Sequence, residues 1–399
     1  MSDKRVLYIS GSFGLGHIYR DLAIARELRN ENPEVEIEWI AAHPASLVLK
    51  DEGERLLPES ALYACDSDPA ESAARGVRLN ILDYLKNARR HWAKNVEVYR
   101  QVVANEHFDL VVGDETYEIA AAFLEKPELK KTPFVIIYDF VGLDATTRNP
   151  LEWIGIYVWN RIWAKDNQVR SPGRDLAIFV GEFEDIPDKR FGPLLPNRRE
   201  YARTLYNAVG YILPFDPAQY TDKAEIRKRL GYGDEPLVIC SIGGTAIGKE
   251  LLELCGRAHP IITEQIPNLR MILVCGPRLA VESLDVPDGV EVTGFIPYLY
   301  HHLAACDLAV VQGGGTITLE LTALKRPFLY FPLAGDFEQE MAVAGRVARH
   351  GAGIRMSYSR TTPELLAKAV VANIGKEVSY PPIRVDGART AARLISGLL

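Results

Sequence analysis

Short apolar runs recur along this 399-residue chain, each followed by a longer stretch with helical spacing. Val6–Ser10, Val35–Ala42, Phe108–Gly113, Pro133–Tyr138 and Leu176–Gly181 form one series. Pro236–Ile242, Arg270–Cys275, Val290–Thr293, Asp307–Gln312 and Pro327–Phe331 form a second. Runs that are apolar without alternation are buried on both faces, and helices between them make the strands parallel. The pattern therefore confines the chain to an α/β fold of open parallel sheets. A turn-rich connector around residues 206–235 separates the two series. The expected organisation is a Rossmann-like domain over residues 1–213, a second over 214–385, and a C-terminal helix over 386–399 that packs back on the first. Such sheets bind ligands at the carboxyl ends of their strands. Two of them facing across a cleft would hold two substrates.

Composition narrows the function. Lys and Arg number 46 against 53 Asp and Glu, a formal charge of −7, which argues against nucleic-acid binding through bulk positive charge. The 47% hydrophobic content excludes wholesale disorder. The five cysteines form no C-x-x-C pair and no zinc spacing, which suits a reducing compartment. The lead Met1–Arg5 is too short for a signal peptide, and no apolar run reaches the roughly 18 residues of a spanning helix. A cytoplasmic protein is expected.

Two glycine-rich turns stand between a strand and a helix. The first, Gly11–His17, reads G-x-x-G-x-G, and the next strand ends in Ala41-Ala42-His43 with no acid for a cofactor ribose, so a dinucleotide is disfavoured. His17 falls in the first turn of its helix, where the positive helix end favours a neutral, proton-accepting imidazole. Asp114 ends another strand and is a candidate to orient that imidazole; it reads equally well as the cap of a helix over Glu115–Phe123.

The second turn is the stronger signal. Val310-Val311-Gln312-Gly313-Gly314-Gly315-Thr316 runs from a buried strand through three glycines into a helix carrying Glu320. Glycines let backbone approach an anion, and the helix offers unpaired amides to a diphosphate. Glu320 lies about one and a half turns in, within reach of ribose hydroxyls. Asp336 and Gln339 fall just past the next strand and suit sugar hydroxyls.

These motifs, in this order, resemble the nucleotide-sugar glycosyltransferases of the GT-B fold. The likeness is nearest to the UDP-glycosyltransferases and the relatives that include the peptidoglycan N-acetylglucosaminyltransferase and galactolipid synthases. The family pattern is a strand, H-G-G-x-G, a helix with Glu, G-x-P, then P and a D-Q pair. Here it reads Gln312 to Thr316, Glu320, Arg326-Pro327, Pro332, and Asp336 with Gln339. Gly294-Phe295-Ile296 resembles the segment that meets the nucleobase, and Gly243-Gly244-Thr245 the loop that approaches the phosphates. Gly16-His17 is similar to the family's N-terminal loop with its histidine base, and Asp109–Asp114 to the strand that ends in its acid partner. The resemblance implies donor contacts at Gly16, Gly244, Thr245, Phe295, Ile296, Gln312, Gly313, Gly314, Gly315, Thr316, Glu320, Asp336 and Gln339, with His17 and Asp114 catalytic. This chain departs from the pattern at Gln312, at Thr316-Ile317, and in the separation of Asp336 from Gln339. Retaining enzymes of the fold often carry two glutamates eight positions apart; Gln312 at the first such position, with His17, favours inversion.

Other features read more plainly. Asp66-Ser67-Asp68 has D-x-D form but reads as a solvated turn, and the glycine-helix site needs no metal. Trp153–Trp163 holds three of the five tryptophans; it suits a buried helix, an acceptor pocket centred on Trp153 and Tyr157, or a lipid contact that Arg89–Lys94 could extend. His301-His302 reads as a surface pair.

The reading is thus an inverting, metal-independent hexosyltransferase without a cofactor. It moves a sugar from a nucleoside diphosphate, expected to be UDP, to a hydroxyl of a small-molecule or lipid acceptor. A lipid acceptor would add peripheral contact at the inner membrane face. The rival readings are a UDP-N-acetylglucosamine epimerase-like enzyme and a non-catalytic sugar-nucleotide-binding protein.

Overall fold

The computed structural model describes residues 4–11 and 13–399; Met1–Asp3, from the short lead read as no signal peptide, and Ser12, from the first glycine turn, lie outside the described residues. The chain folds into two compact units, the first made of residues up to Ser72, Ile81–Pro214 and Arg384–Leu399, the second of Ala73–Asn80 and Phe215–Ile383.

The strands in chain order are β1 (Arg5–Ile9), β2 (Glu36–Ile40), β3 (Arg55–Leu56), β4 (Ala74–Arg75), β5 (Arg78–Leu79), β6 (Leu110–Asp114), β7 (Phe134–Tyr138), β8 (Leu176–Phe179) and β9 (Asn207–Ala208). The second series is β10 (Leu237–Ser241), β11 (Arg270–Val274), β12 (Glu291–Thr293), β13 (Leu308–Gln312), β14 (Phe328–Phe331) and β15 (Ile354–Arg355). The first unit holds a seven-stranded sheet in the order β3-β2-β1-β6-β7-β8-β9, and the second a six-stranded sheet in the order β12-β11-β10-β13-β14-β15. Neighbours in both sheets pair in parallel, as the uninterrupted apolar runs require.

Each sheet order reverses once, between β1 and β6 and between β10 and β13. At such a switch the connections leave in opposite directions and open a crevice at the carboxyl ends of the strands. Central strands β1, β6, β10 and β13 are buried almost throughout, so the residues at their carboxyl ends are anchored on a packed core.

Two long-range features complete the units, and only the first of them was not visible in the pattern of runs. Residues 73–80 leave the first unit, pair as β4–β5, and clamp the loop after β14: Leu79 N donates to Ala334 O at 2.8 Å and Ala334 N to Val77 O at 3.0 Å. A Cβ on Gly335, at φ +81°, would stand 2.2 Å from Leu79 O, so only glycine permits this approach. The C-terminal helix Gly387–Ser396 packs along helix Gly16–Glu31, with Asn32 Nδ2 donating to Ser396 Oγ at 2.6 Å and Arg393 facing Glu31 at 3.2 Å. None of the five cysteines is in a disulfide, and all are buried.

Candidate active site

In the first unit the switch point is crowded with charge. Helix Gly16–Glu31 begins without a side-chain cap, and Gly16, expected to meet the donor, is its first residue. His17 is 8% exposed, and its Nδ1 lies 2.9 Å from Oδ2 of the buried Asp114. Asp114 is the last residue of β6, and Thr116 occupies the cap of the following helix Tyr117–Glu125, so the capping reading of Asp114 is corrected. A side chain at Gly11 would be tight: its Cβ would sit 3.1 Å from both Asp114 O and His17 Nδ1.

Arg20, one turn beyond His17, was missed by the sequence reading. Its Nε donates to Asp114 Oδ2 at 3.0 Å, its Nη2 to Asp114 Oδ1 at 2.5 Å, and its Nη1 to Asp139 Oδ2 at 3.0 Å. Burial opposes ionisation of Asp114, but the Arg20 guanidinium outweighs it and holds the carboxyl below its usual range. Arg20 Nη2 also lies 2.7 Å from His17 Nδ1. Nδ1 cannot accept from Arg20 and donate to Asp114 at once. The tautomer that donates to Asp114 leaves Nε2 with a free lone pair. Nε2 faces Glu115 Oε2 at 3.5 Å.

Ligand atoms of His17, Glu115 and Asp139 lie within 4.8 Å of one another, close enough for a metal. Arg20 already stands against Asp139 and supplies the positive charge there. Ser67, expected in a solvated turn, is instead buried and accepts from Gly14 N at 3.2 Å; it pins the glycine loop.

In the second unit the switch point is mainly backbone, with Arg346 Nη2 donating to Gly315 O at 2.5 Å. β13 ends at Gln312, and helix Gly315–Ala323 starts from Gly314 with no side-chain cap. The three glycines differ. A Cβ on Gly313 would stand 2.9 Å from Pro332 Cα, so packing alone requires glycine there. A Cβ on Gly314 would meet only Ile317, at 3.8 Å, and one on Gly315 would touch Arg346, Glu338 and Val343 at 3.6–3.7 Å, so packing does not by itself require glycine at either. The first helical amides therefore face a cradle.

The flanking residues gather at the same strand ends. Gln312 is buried, and its Oε1 is without a hydrogen-bond partner among the described residues; it lies where a Cβ on Gly248 would be. It thus abuts the loop that carries Gly244 and Thr245 after β10. Phe295 and Ile296 follow β12 and are half-buried, as is Thr316. Glu320 is buried, and burial pushes its carboxyl up to about 8. Gln339 Oε1 accepts from Leu333 N at 2.9 Å, and Asp336 accepts from Glu338 N at 3.0 Å and Gln339 N at 3.3 Å. Both residues, expected to meet the sugar, also hold their own loop in shape.

Comparison with known proteins converges on one fold and one activity. Residues 238–380 match the glycosyltransferase family 28 C-terminal domain. An uncharacterised glycosyltransferase of Methanosarcina acetivorans is 24% identical over 98% of this chain and 97% of its own. The UDP-N-acetylglucosamine–N-acetylmuramyl-(pentapeptide) pyrophosphoryl-undecaprenol N-acetylglucosamine transferase of Clostridioides difficile is 23% identical over 93% of this chain and 81% of its own. The enzyme of that name from Carboxydothermus hydrogenoformans is 29% identical, but the match spans only 43% of its length. The solved glycotransferase of kitacinnamycin shares the fold at a TM-score of 0.60 and 17% identity, over 99% of this chain and 94% of that one. Acinetobacter baumannii MurG does so at 0.51 and 16%, over 98% and 95%.

The chain is a GT-B glycosyltransferase.

Two expectations about this glycosyltransferase are corrected by its structure. Helix Pro150–Lys165 is not a buried helix: Trp153 is 60% exposed, and Leu151, Ile154, Val158 and Ile162 are exposed along one face. Trp153 Nε1 donates to Thr147 O at 2.9 Å, and Tyr157 OH reaches Pro193 O at 3.4 Å beside Gly192, so these two side chains brace loops of their own unit. His301 and His302 are not a surface pair; they meet Tyr220 OH at 3.0 Å and Tyr232 OH at 2.6 Å, and burial lowers the proton affinity of both. Among the described residues no helix is long and apolar enough to cross a membrane.

Proposed function

We propose that this glycosyltransferase transfers a sugar from a UDP-sugar to a hydroxyl of an acceptor, with inversion and without a metal. The acceptor oxygen attacks the anomeric carbon as the bond from that carbon to the diphosphate oxygen breaks. The hydroxyl proton passes to Nε2 of His17, whose Nδ1–H is oriented by Asp114. The amides at the start of helix Gly315–Ala323 take up the charge that develops on the leaving diphosphate. The observation that carries the reading is the uncapped helix at a switch point, begun by Gly314 and Gly315, two glycines that packing does not by itself require. Glu320 is suited to a ribose because a neutral carboxyl can both donate and accept.

A lipid-linked acceptor is favoured by the outer face of helix Pro150–Lys165. Leu151, Ile154, Val158 and Ile162 recur at helical spacing, with Arg161 and Lys165 on the same side. Leu194, 97% exposed, lies in the loop that Tyr157 touches. Trp159 packs edge-on to Trp92, beside the exposed Arg89 and Arg90. Apolar residues ringed by cations suit an anionic lipid surface, and the Clostridioides difficile relative is named for an undecaprenol-linked acceptor. Thermal shifts with a panel of nucleotides test the donor. Stabilisation by UDP above other diphosphates is expected; no response to any nucleotide overturns the reading.

A further inference from the structure

The proton that His17 receives leaves an imidazolium in a buried site, and a buried cation needs a counter-charge. Asp114 is the obvious source, yet it already faces both Nε and Nη2 of Arg20. The charges around His17 come from four elements. Its own helix supplies Arg20, and Asp21, which accepts from Tyr8 OH at 3.0 Å and Ser10 Oγ at 2.6 Å. The end of β6 supplies Asp114 and Glu115, the end of β7 supplies Asp139, and helix Tyr117–Glu125 supplies Tyr117.

Glu115 and Asp139 are the groups left over. Asp139 Oδ2 takes Arg20 Nη1, but its Oδ1 is buried with no N–H or hydroxyl donor among the described residues. The Glu115 carboxyl is the neighbour that can fill that gap, and only by carrying a proton. Tyr117 OH donates to the other side of Glu115, at Oε1, at 3.0 Å. Glu115 also adopts φ +52°, a backbone conformation that disfavours any side chain, directly after the strand that ends in Asp114. Backbone held this way clusters at functional positions, although Leu194, Tyr298 and Lys325 share it.

We propose that Glu115 and Asp139 share one proton and together form the counter-ion of the His17 imidazolium. The pair carries one negative charge whichever oxygen holds the proton. With Asp114 matched to Arg20, that charge is left over while His17 is neutral and is balanced when the acceptor's proton arrives at Nε2. Burial and the neighbouring Asp139 push the Glu115 carboxyl well up, while Asp139, its burial outweighed by Arg20, is held down; both directions agree with a proton on Glu115. Glu115 and Asp139 are positioning residues: they act on the reaction through His17.

The inference rests on His17 being the base, and the test separates the two. A shared proton makes the two carboxyls redundant as charge. Glu115→Gln and Asp139→Asn are each expected to lower kcat, by about threefold to tenfold, because the remaining carboxyl ionises and carries the charge alone. The double variant is expected to lose about tenfold or more in kcat beyond the product of the singles, and its kcat/KM profile moves on the acid side. If the double variant is as active as the singles, or if Glu115→Gln alone is as damaging as the double, the shared pair is wrong. If His17→Ala retains full turnover, the base reading and the pair fall together. A His17→Ala variant without activity beside a double variant with full activity overturns the pair alone. Should Asp139→Asn not fold, infrared difference spectra of wild type against Glu115→Gln at pH 7 decide. Loss of a protonated-carboxyl band supports the pair, and its absence from the difference overturns it.

Discussion

The two switch points have the same topology and opposite contents. At the β1/β6 switch, His17, Arg20, Asp114, Glu115 and Asp139 interlock through side chains, most of them buried. At the β10/β13 switch the cradle is Gly314, Gly315 and the amides beyond them. The difference matches the tasks proposed for each. Moving a proton needs groups with tunable affinity for it, and these must be side chains. Holding a diphosphate needs fixed dipoles and close approach, which backbone supplies best where side chains are missing.

Substitutions can break this division of labour. The largest effect is expected from His17→Ala, a loss of about two to four powers of ten in kcat, with UDP binding, read by thermal shift, unchanged. A parallel loss of UDP binding would show that the first switch point also serves the donor. Next comes Gly314→Val. A side chain there, where a Cβ meets only Ile317 at 3.8 Å, is expected to weaken UDP binding more than about tenfold with little change in Tm, whereas Gly313→Val, forced against Pro332, lowers Tm first. Arg20→Met leaves two buried carboxylates without their cation and is expected to destabilise the protein by about 3–5 kcal/mol. Chemical denaturation measures it, and a change below about 1 kcal/mol would mean that Arg20 is not needed to compensate them.

A smaller effect concerns pH. Glu320 holds its proton to about 8 in the folded chain and to about 4.3 when unfolded. The folded state thus binds more protons between those values, and stability falls as pH rises through them. Glu320→Gln is expected to raise Tm at pH 8–9 and leave it nearly unchanged at pH 4. An equal gain at both would exclude titration of Glu320 as the cause. The smallest effect in solution, and one visible only with vesicles, is expected from Ile154→Glu with Val158→Glu. The pair should abolish sedimentation with anionic vesicles while leaving transfer to a soluble acceptor within about twofold.

The strands and glycine turns were legible because burial on both faces writes an unbroken apolar run, and because strand–glycine–helix is a local pattern. The second switch point is built from such local signals, so Gln312 to Glu320 could be read directly. The first is not. Arg20 sits in a helix among Tyr19, Asp21 and Arg26, where an arginine normally faces water; only the ends of β6 and β7 bring it two carboxylates. Asp114 could be read as cap or partner because both uses place an acid after a strand. Helix Pro150–Lys165 misled for a different reason. Apolar residues on every face read as burial, and the spacing carries no sign of which face lacks a neighbour. Residues 73–80 gave no signal at all, since their partner Ala334 lies more than 250 positions away in the chain.

That excursion and the returning C-terminal helix govern how the protein can be taken apart. The polypeptide passes between its units four times, at 72/73, 80/81, 214/215 and 383/384. A gene fragment stopped at residue 214 would strip the covering from helix Gly16–Glu31, and one begun at 215 would leave the loop around Gly335 without its clamp. Separate expression of either half calls for a spliced design that carries those pieces across, not a single cut.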